Sequence, residues 1–318
     1  MGPPVKPRVL ITGAGGPAGR AVAAQLKARG VPVLGTDIRE LPAGSGITAV
    51  RVPEASDPEL VSALRRLVAA EDVNVVIPTV TDELPQLAAF RPAFGPDVRV
   101  IIGEPGPVAL AHDRLFTAWR LQSAGVAVPR FGVPRDFSGA EAAMEALGGP
   151  VVVRPRVSGC GSGVTVVDGG VDVDWHRLPE GQIVQEFIPG TAYGPMVFGT
   201  PVQNAAAPFV VVIEKTAPAG GKAGNVAAAR RVEIGEAMDV GNVAMAAVRA
   251  LGLTGPVDVD VRRRADGTPV VLGVTARFGR NSGLAPELLD AVLGAFTLPS
   301  FNPASFRQSP RAHSSVLV

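Results

Sequence analysis

Two glycine-rich segments and a few charged side chains near them are the residues of this chain that could do chemistry. The first segment, Thr12-Gly13-Ala14-Gly15-Gly16-Pro17-Ala18-Gly19, lies between the apolar Val9-Leu10-Ile11 and a helical stretch from Arg20 to Arg29. Glycines between a strand and a helix let backbone N–H groups approach a phosphate, whose charge the helix N-terminus favours. Asp37 ends the next apolar run, where an acid could meet a ribose. The second segment, Ser158-Gly159-Cys160-Gly161-Ser162-Gly163, follows Val151-Val152-Val153-Arg154. An arginine directly after an apolar triplet and before a glycine loop offers a planar donor fork to phosphate oxygens. Only four lysines occur among the 30 basic residues. Lys215 ends a strand and Lys222 sits in Gly220-Gly221-Lys222, so both could face phosphate or an acidic substrate. Asp258 and Asp260 occupy alternate positions of an extended run and so share one face.

The elements that must position these groups follow from hydrophobic spacing. Short apolar runs at Val9–Ile11, Val31–Thr36, Val50–Pro53, Val73–Ile77 and Val98–Ile102 alternate with helical stretches at Arg20–Arg29, Asp57–Ala70 and Asp82–Phe90. That alternation predicts a doubly wound parallel sheet over about the first 105 residues. The pattern then changes. Helices are expected at Asp113–Ala124, Gly139–Leu147, Glu236–Leu251 and Pro286–Phe296. Strands are expected at Val151–Arg154, Val164–Val167, Ile183–Phe187, Phe209–Lys215 and Val226–Val232. Val257–Arg263 and Pro269–Val274 should form a hairpin around Asp266-Gly267.

Composition sets the outer bounds. The chain has 318 residues, 47% of them hydrophobic, with 30 basic against 29 acidic residues. Such a balance argues against a nucleic-acid protein. A single cysteine, Cys160, permits no internal disulfide, and histidines at 112, 176 and 313 are too scattered for a His-rich metal site. No apolar run reaches membrane-spanning length, so no membrane partner and a cytoplasmic location are expected. A homo-oligomer is left open.

From residue 5 to about 295 the order of motifs resembles the ATP-grasp superfamily, most closely its carbamoyl-phosphate synthase large-chain type. The resemblance rests on Pro78-Thr79 with Asp82-Glu83, on Asp113-Arg114 followed by Gly125-Val126-Ala127-Val128-Pro129, and on Gly149–Pro155. It rests further on the 158–163 loop, on the hinge Gln185-Glu186-Phe187-Ile188-Pro189-Gly190, and on Gly255–Ser282. It implies an α/β architecture: a Rossmann-like pre-ATP-grasp domain over 1–110, then a two-subdomain ATP-grasp domain over 111–296 with a lid near 114–184, and a tail over 297–318. The N-terminal glycines also resemble the opening of short-chain dehydrogenases, but that family needs a Tyr-x-x-x-Lys pair. The single tyrosine here, Tyr193, is followed four residues later by Val197.

The ATP-grasp resemblance implies an ATP-dependent carboxylate–amine ligase working through an acyl phosphate, with small-molecule carboxylate and amine substrates. Arg114, Arg154 and the loop residues Ser158, Gly159, Gly161, Ser162 and Gly163 would meet ATP phosphates. Gln185, Glu186, Phe187 and Ile188 would hold adenine, with the Glu186 carboxylate toward the nucleotide edge. Lys215 and Lys222 would add positive charge, Arg277 would meet the transferred phosphoryl group, and Asp260 would hold Mg²⁺. The chain departs from the family at three acids or amides: Ala192 stands where a ribose-binding Glu is expected, and Gly273 and Thr275 stand where a metal-binding Glu-x-Asn is expected. A second reading follows from those departures, a catalytically degenerate member acting as a nucleotide- or partner-binding module.

Overall fold

The structure, a computed structural model, describes residues 7–42, 46–158, 163–170, 173–200, 208–218, 226–233 and 235–297. Gly159, Cys160, Gly161, Ser162 and Lys222 lie outside these, as does the tail beyond Thr297. The chain runs β1 (Val9–Thr12), α1 (Pro17–Ala28), β2 (Val33–Asp37), β3 (Ala49–Arg51), α2 (Leu60–Ala70), β4 (Val75–Ile77), α3 (Leu84–Ala89), β5 (Arg99–Val100), α4 (Pro105–His112) and α5 (Arg114–Ser123). It continues through β6 (Phe131–Gly132), α6 (Ala140–Leu147), β7 (Val151–Pro155), β8 (Thr165–Val167), β9 (Gln182–Glu186), β10 (Ala192–Tyr193), β11 (Met196–Gly199), β12 (Phe209–Val211), β13 (Ile213–Pro218) and β14 (Val226–Arg231). It ends with α7 (Met238–Leu251), β15 (Gly255–Arg263), β16 (Pro269–Thr275) and α8 (Pro286–Thr297).

Three sheets result. The first is parallel, in the order β3-β2-β1-β4-β5. All four residues of β1 and all three of β4 are buried, as strands covered on both faces require. The second sheet is antiparallel, β6-β9-β7-β8. Its private core of Val151, Val153, Val167 and Val184 packs with Ala143 and Leu147 of α6 and with Trp175. The third has seven strands, and in it β15 pairs antiparallel with β10, β11 and β16. Helices α4 and α5 share a core with α7, β15 and β16 through Val108, Ala111, Leu121, Ala244 and Val259. Helix α5, placed by its sequence at the start of the lid, therefore packs on the body. No helix among the described residues is long and apolar enough to cross a membrane.

Strands β10 and β11 are not among those expected from the sequence, and two further segments differ from expectation for physical reasons. The expected strand Phe209–Lys215 is two strands, because the chain changes partner at Val212: β12 pairs with β11, and β13 pairs with β10 and β14. Helix α4 was not expected across Pro105-Gly106-Pro107, yet both prolines lie in its first turn, where a missing N–H costs nothing. The Asp266-Gly267 turn closes the β15–β16 hairpin, with Gly267 at φ +88° and its N–H donating to the Arg264 carbonyl.

The first glycine turn is built for close approach. A methyl group at Gly19 would overlap the Gly13 carbonyl oxygen and lie 2.8 Å from the Ala14 Cα, and backbone atoms cannot yield as a side-chain end can. Gly19→Ala should therefore destabilise the protein by roughly 2 kcal/mol, at the middle of the overpacking range. Thermal unfolding reads this, and an unchanged midpoint would refute the tight turn.

Candidate active site

The strands of the second and third sheets deliver charged side chains by simple alternation. In β15, Val257, Val259 and Val261 are buried, so Asp258, Asp260 and Arg262 point the other way, into a cleft of about 1400 Å³. In β7, Val151 and Val153 fill the second sheet's core, which turns Val152 and Arg154 into the same cleft. Gln185 of β9 pairs in register with Val152 and lines the cleft beside them. From the N-terminal side come Gly13, Gly15, Gly16, Thr81 and Glu83.

Arg154 donates from Nε to Gln185 Oε1 at 2.9 Å and from an Nη to the Leu272 carbonyl at 2.7 Å. Among the described residues it has no carboxylate partner. Burial, reinforced by the charge of Arg114, pushes its pKa down to about 9. It is a part-buried cation held by neutral acceptors, with the charge of Asp260 acting on it from beyond ion-pair distance. Arg114 is placed differently: its Nη atoms donate to the carbonyls of Pro155, Arg156 and Ser158 at 2.9–3.1 Å. It thus grips the backbone leading into the second glycine loop. Asp113 caps α5 through the N–H groups of Leu115 and Phe116 and also pairs with Arg156 at 2.6 Å.

The hinge departs from expectation in its side chain. The Glu186 carboxylate accepts from the Arg130 N–H at 3.0 Å and pairs with Arg264 at 2.7 Å. It is a clamp between the hinge and the β15–β16 hairpin, and is already satisfied without a nucleotide. The Glu186 and Phe187 N–H groups also donate within the protein, to the Arg130 and Pro150 carbonyls. Arg262 fixes the Ile188 carbonyl at 3.0 Å. Among the described residues, the Ile188 N–H is left without a partner.

The acids of β15 are likewise engaged. Asp260 forms an ion pair with Lys215, and Asp258 faces Arg277 at 3.5 Å. Burial raises the Asp258 carboxyl, with the charge of Asp260 adding to it against Arg277 and Lys215. Burial also presses on Lys215, but Asp260 and Asp258 overcome it and hold the ammonium above its ordinary value. Asp260 feels the same desolvation and is pulled below its ordinary value by Lys215. Across the hairpin, Asp258 is paired in register with Thr275 and Asp260 with Gly273. Glu214, beside Lys215 on β13, is paired with Arg230. These donors do not fit the pair of magnesium ions that the sequence resemblance implies. No group of three or more His, Cys, Asp or Glu able to hold a metal exists among the described residues. The Asp260 carboxylate, expected to hold Mg²⁺, meets the Lys215 ammonium.

One bond of an expected residue, and the burial of one acid, are not visible in the sequence. Arg277 donates to Thr81 Oγ1 at 3.2 Å and so ties the end of the third sheet to the N-terminal portion. Glu83, 2% exposed, has one carboxyl oxygen with no partner among the described residues. Burial raises its pKa to about 7, Thr12 opposing and Asp37 and Asp82 assisting. The Asp82-Glu83 pair was visible in the sequence, but its burial depends on the fold. Asp37, for its part, accepts from the Gly15 N–H at 2.9 Å and the Arg39 N–H at 3.2 Å, so it braces the first glycine turn.

The fold is mixed α/β, with one cleft lined by the glycine turn of the parallel sheet and by strands of the two antiparallel sheets. Residues 111–280 match the model of the ATP-grasp domain, more than half of the chain, and the protein belongs to that family. The chain is similar to the formate-dependent phosphoribosylglycinamide formyltransferase of Burkholderia thailandensis, with 29% identity over 206 residues, 58% of this chain and 48% of the other. It thus spans about half the length of that relative. Its fold is similar to the L-amino acid ligase of Bacillus licheniformis (TM-score 0.67, 19% identity, 89% of this chain and 70% of that one). It is also similar to the D-alanine–D-alanine ligase of Bacillus anthracis (TM-score 0.58, 15% identity, 90% and 92%).

The Glu83 shift has a pH signature. The folded protein holds this proton to about pH 7, the unfolded chain only to about 4.5. The cost of ionising it is therefore absent below the lower value, grows as pH rises between the two, and is complete above the upper one. Glu83→Gln should stabilise the protein by up to about 3 kcal/mol near pH 8 and by almost nothing near pH 4. Urea unfolding at both pH values checks this, and an equal effect at the two would remove the shift.

Proposed function

We propose that the protein is an ATP-dependent ligase that joins a small-molecule carboxylate to an amine. The observation that carries this reading is one cleft lined from two sides. Arg154, Arg277 and the 185–188 hinge stand on the ATP-grasp side, and the Gly13–Ala18 turn and Glu83 stand on the N-terminal side. The family membership and the likeness to ligases support it. The division into an N-terminal unit to residue 110, an ATP-grasp unit from 111 to 296 and a tail belongs to the proposal, as does the carbamoyl-phosphate synthase-like character of Gly255–Ser282.

In this reading adenine lies at the hinge and takes the Ile188 N–H. The triphosphate runs toward Arg154, which lacks a carboxylate partner, and toward the loop that Arg114 holds. Phosphoryl transfer needs positioning and charge neutralisation more than covalent help. A substrate carboxylate oxygen attacks the γ-phosphorus, the bond to the ADP oxygen breaks, and an acyl phosphate forms beside Arg277. The amine then attacks the acyl carbon and phosphate leaves. Glu83, with a pKa near neutrality, is suited to take the proton the amine loses.

The second reading, a binding module without turnover, is favoured by the engaged acids of β15 and by Gly273 and Thr275 opposite them. Isotope transfer separates the two. A ligase releases ADP only with both substrates present and moves ¹⁸O from a labelled carboxylate into phosphate. Bound ATP with no ADP release across a panel of carboxylates and amines would favour the module. Under either reading Arg154→Ala should weaken ATP binding about tenfold or more, because a desolvated charge-assisted contact is lost. Unchanged affinity by calorimetry would remove Arg154 from the phosphate site.

A further inference from the structure

We propose that the Lys215 ammonium is the resident cation of this cleft, standing where a divalent ion would otherwise bridge ligand and protein, so that a nucleoside polyphosphate binds without a metal. The nucleotide part rests on the function proposed above. The lysine assignment rests on geometry.

Lys215 belongs to β13, and Asp260 to β15, with β10 between them. Ala192 of β10 is in register with Lys215 on one side and with Arg262 on the other. To reach Asp260, the lysine must cross β10, and the residues it crosses are small. Ala192 carries only a methyl group. At Gly194, two positions on and on the same face, a Cβ would stand 3.2 Å from the Lys215 Cε. A long side chain at either position would fill the lysine's path. Gly273, opposite Asp260, has open space where a Cβ would stand, so a third acid would fit there and none is supplied. The departures from the family pattern act on the two sides of β15. Ala192 leaves the path by which an ammonium reaches Asp260, and Gly273 and Thr275 leave that carboxylate without a neighbouring acid on β16.

The charges agree. Asp258 and Asp260 are already met by Arg277 and Lys215. A divalent ion prefers several oxygen ligands with uncompensated negative charge, and here it would compete with two fixed cations. Arg114, Arg154 and Arg262 also line the cleft, and none has a carboxylate ion-pair partner among the described residues. The cleft's acids and bases balance over the whole lining, but these three guanidiniums are oriented by neutral acceptors and stay open to an incoming anion.

Mn²⁺ titration followed by electron paramagnetic resonance tests the lysine assignment without nucleotide. The wild-type protein should show no saturable Mn²⁺ site. Lys215→Met should gain a saturable Mn²⁺ site, and Lys215→Met with Gly273→Glu should bind Mn²⁺ more tightly again, as carboxylates are freed and added. Asp260→Asn in the Lys215→Met background should abolish the gain. A saturable wild-type site that is lost in Asp260→Asn, or no gain in Lys215→Met, would overturn the assignment.

Calorimetry of wild-type protein with ATP, in Mg²⁺ and then in EDTA, tests the consequence and needs no variant to fold. Affinities that agree within about threefold support it; binding that falls about tenfold or more in EDTA overturns it. ATP failing to bind in either buffer would overturn the nucleotide reading, while the Mn²⁺ comparison still decides the role of Lys215.

Discussion

The alternation of β15 is the constraint on which the rest of the site depends. Its valines at 257, 259 and 261 are locked into the core beneath α7, so the residues between them have no freedom over which way they face. A one-residue slip would bury Asp258, Asp260 and Arg262 and expose the valines. Pairing with β10, β11 and β16 holds that register from both edges. The hinge inherits its position from the same strand, because Arg262 binds the Ile188 carbonyl and Arg264, just past its end, binds Glu186.

Desolvated positive charge is the second organising feature. Burial lowers the proton affinity of Arg114, Arg154 and Arg262. Each guanidinium is oriented by neutral acceptors: a carbonyl for Arg262, three carbonyls for Arg114, and a carbonyl with the Gln185 amide oxygen for Arg154. Such acceptors fix direction without cancelling charge. A cation oriented in this way attracts an incoming anion more strongly than one already paired with a carboxylate, since no ion pair must be broken first.

How much of this was legible in the sequence depended on the range of the interaction. The first glycine turn, the β15–β16 hairpin at Asp266-Gly267 and the facing of Arg154 are set by neighbours a few residues away, and local pattern was enough for them. The hinge could be located from Gln185 to Ile188, but the fate of the Glu186 carboxylate could not, because its partners lie at 130 and 264. Lys215 was singled out as a scarce residue near a strand end. Its partner is 45 residues away and is reached across a third strand, a relation no periodicity carries. Asp82 and Glu83 are adjacent acids in the sequence; only the packing of the loop after β4 buries Glu83 and leaves Asp82 exposed.

The small residues that face the cleft are as informative as the charged ones. An alanine or glycine on a strand is usually read as a missing contact. At 192 and 194 the missing side chains leave the path across β10 that the Lys215 side chain takes, and at 273 the strand on the other side of Asp260 leaves open space. A flexible four-carbon stem carrying a compact charge suits such a channel better than the planar guanidinium that dominates this chain's basic residues. That preference gives a physical reason for a lysine at this position in a protein that otherwise uses arginine almost throughout. Small residues on β10 and a lysine that crosses them are then two sides of one arrangement, in which the chain's own ammonium meets the Asp260 carboxylate.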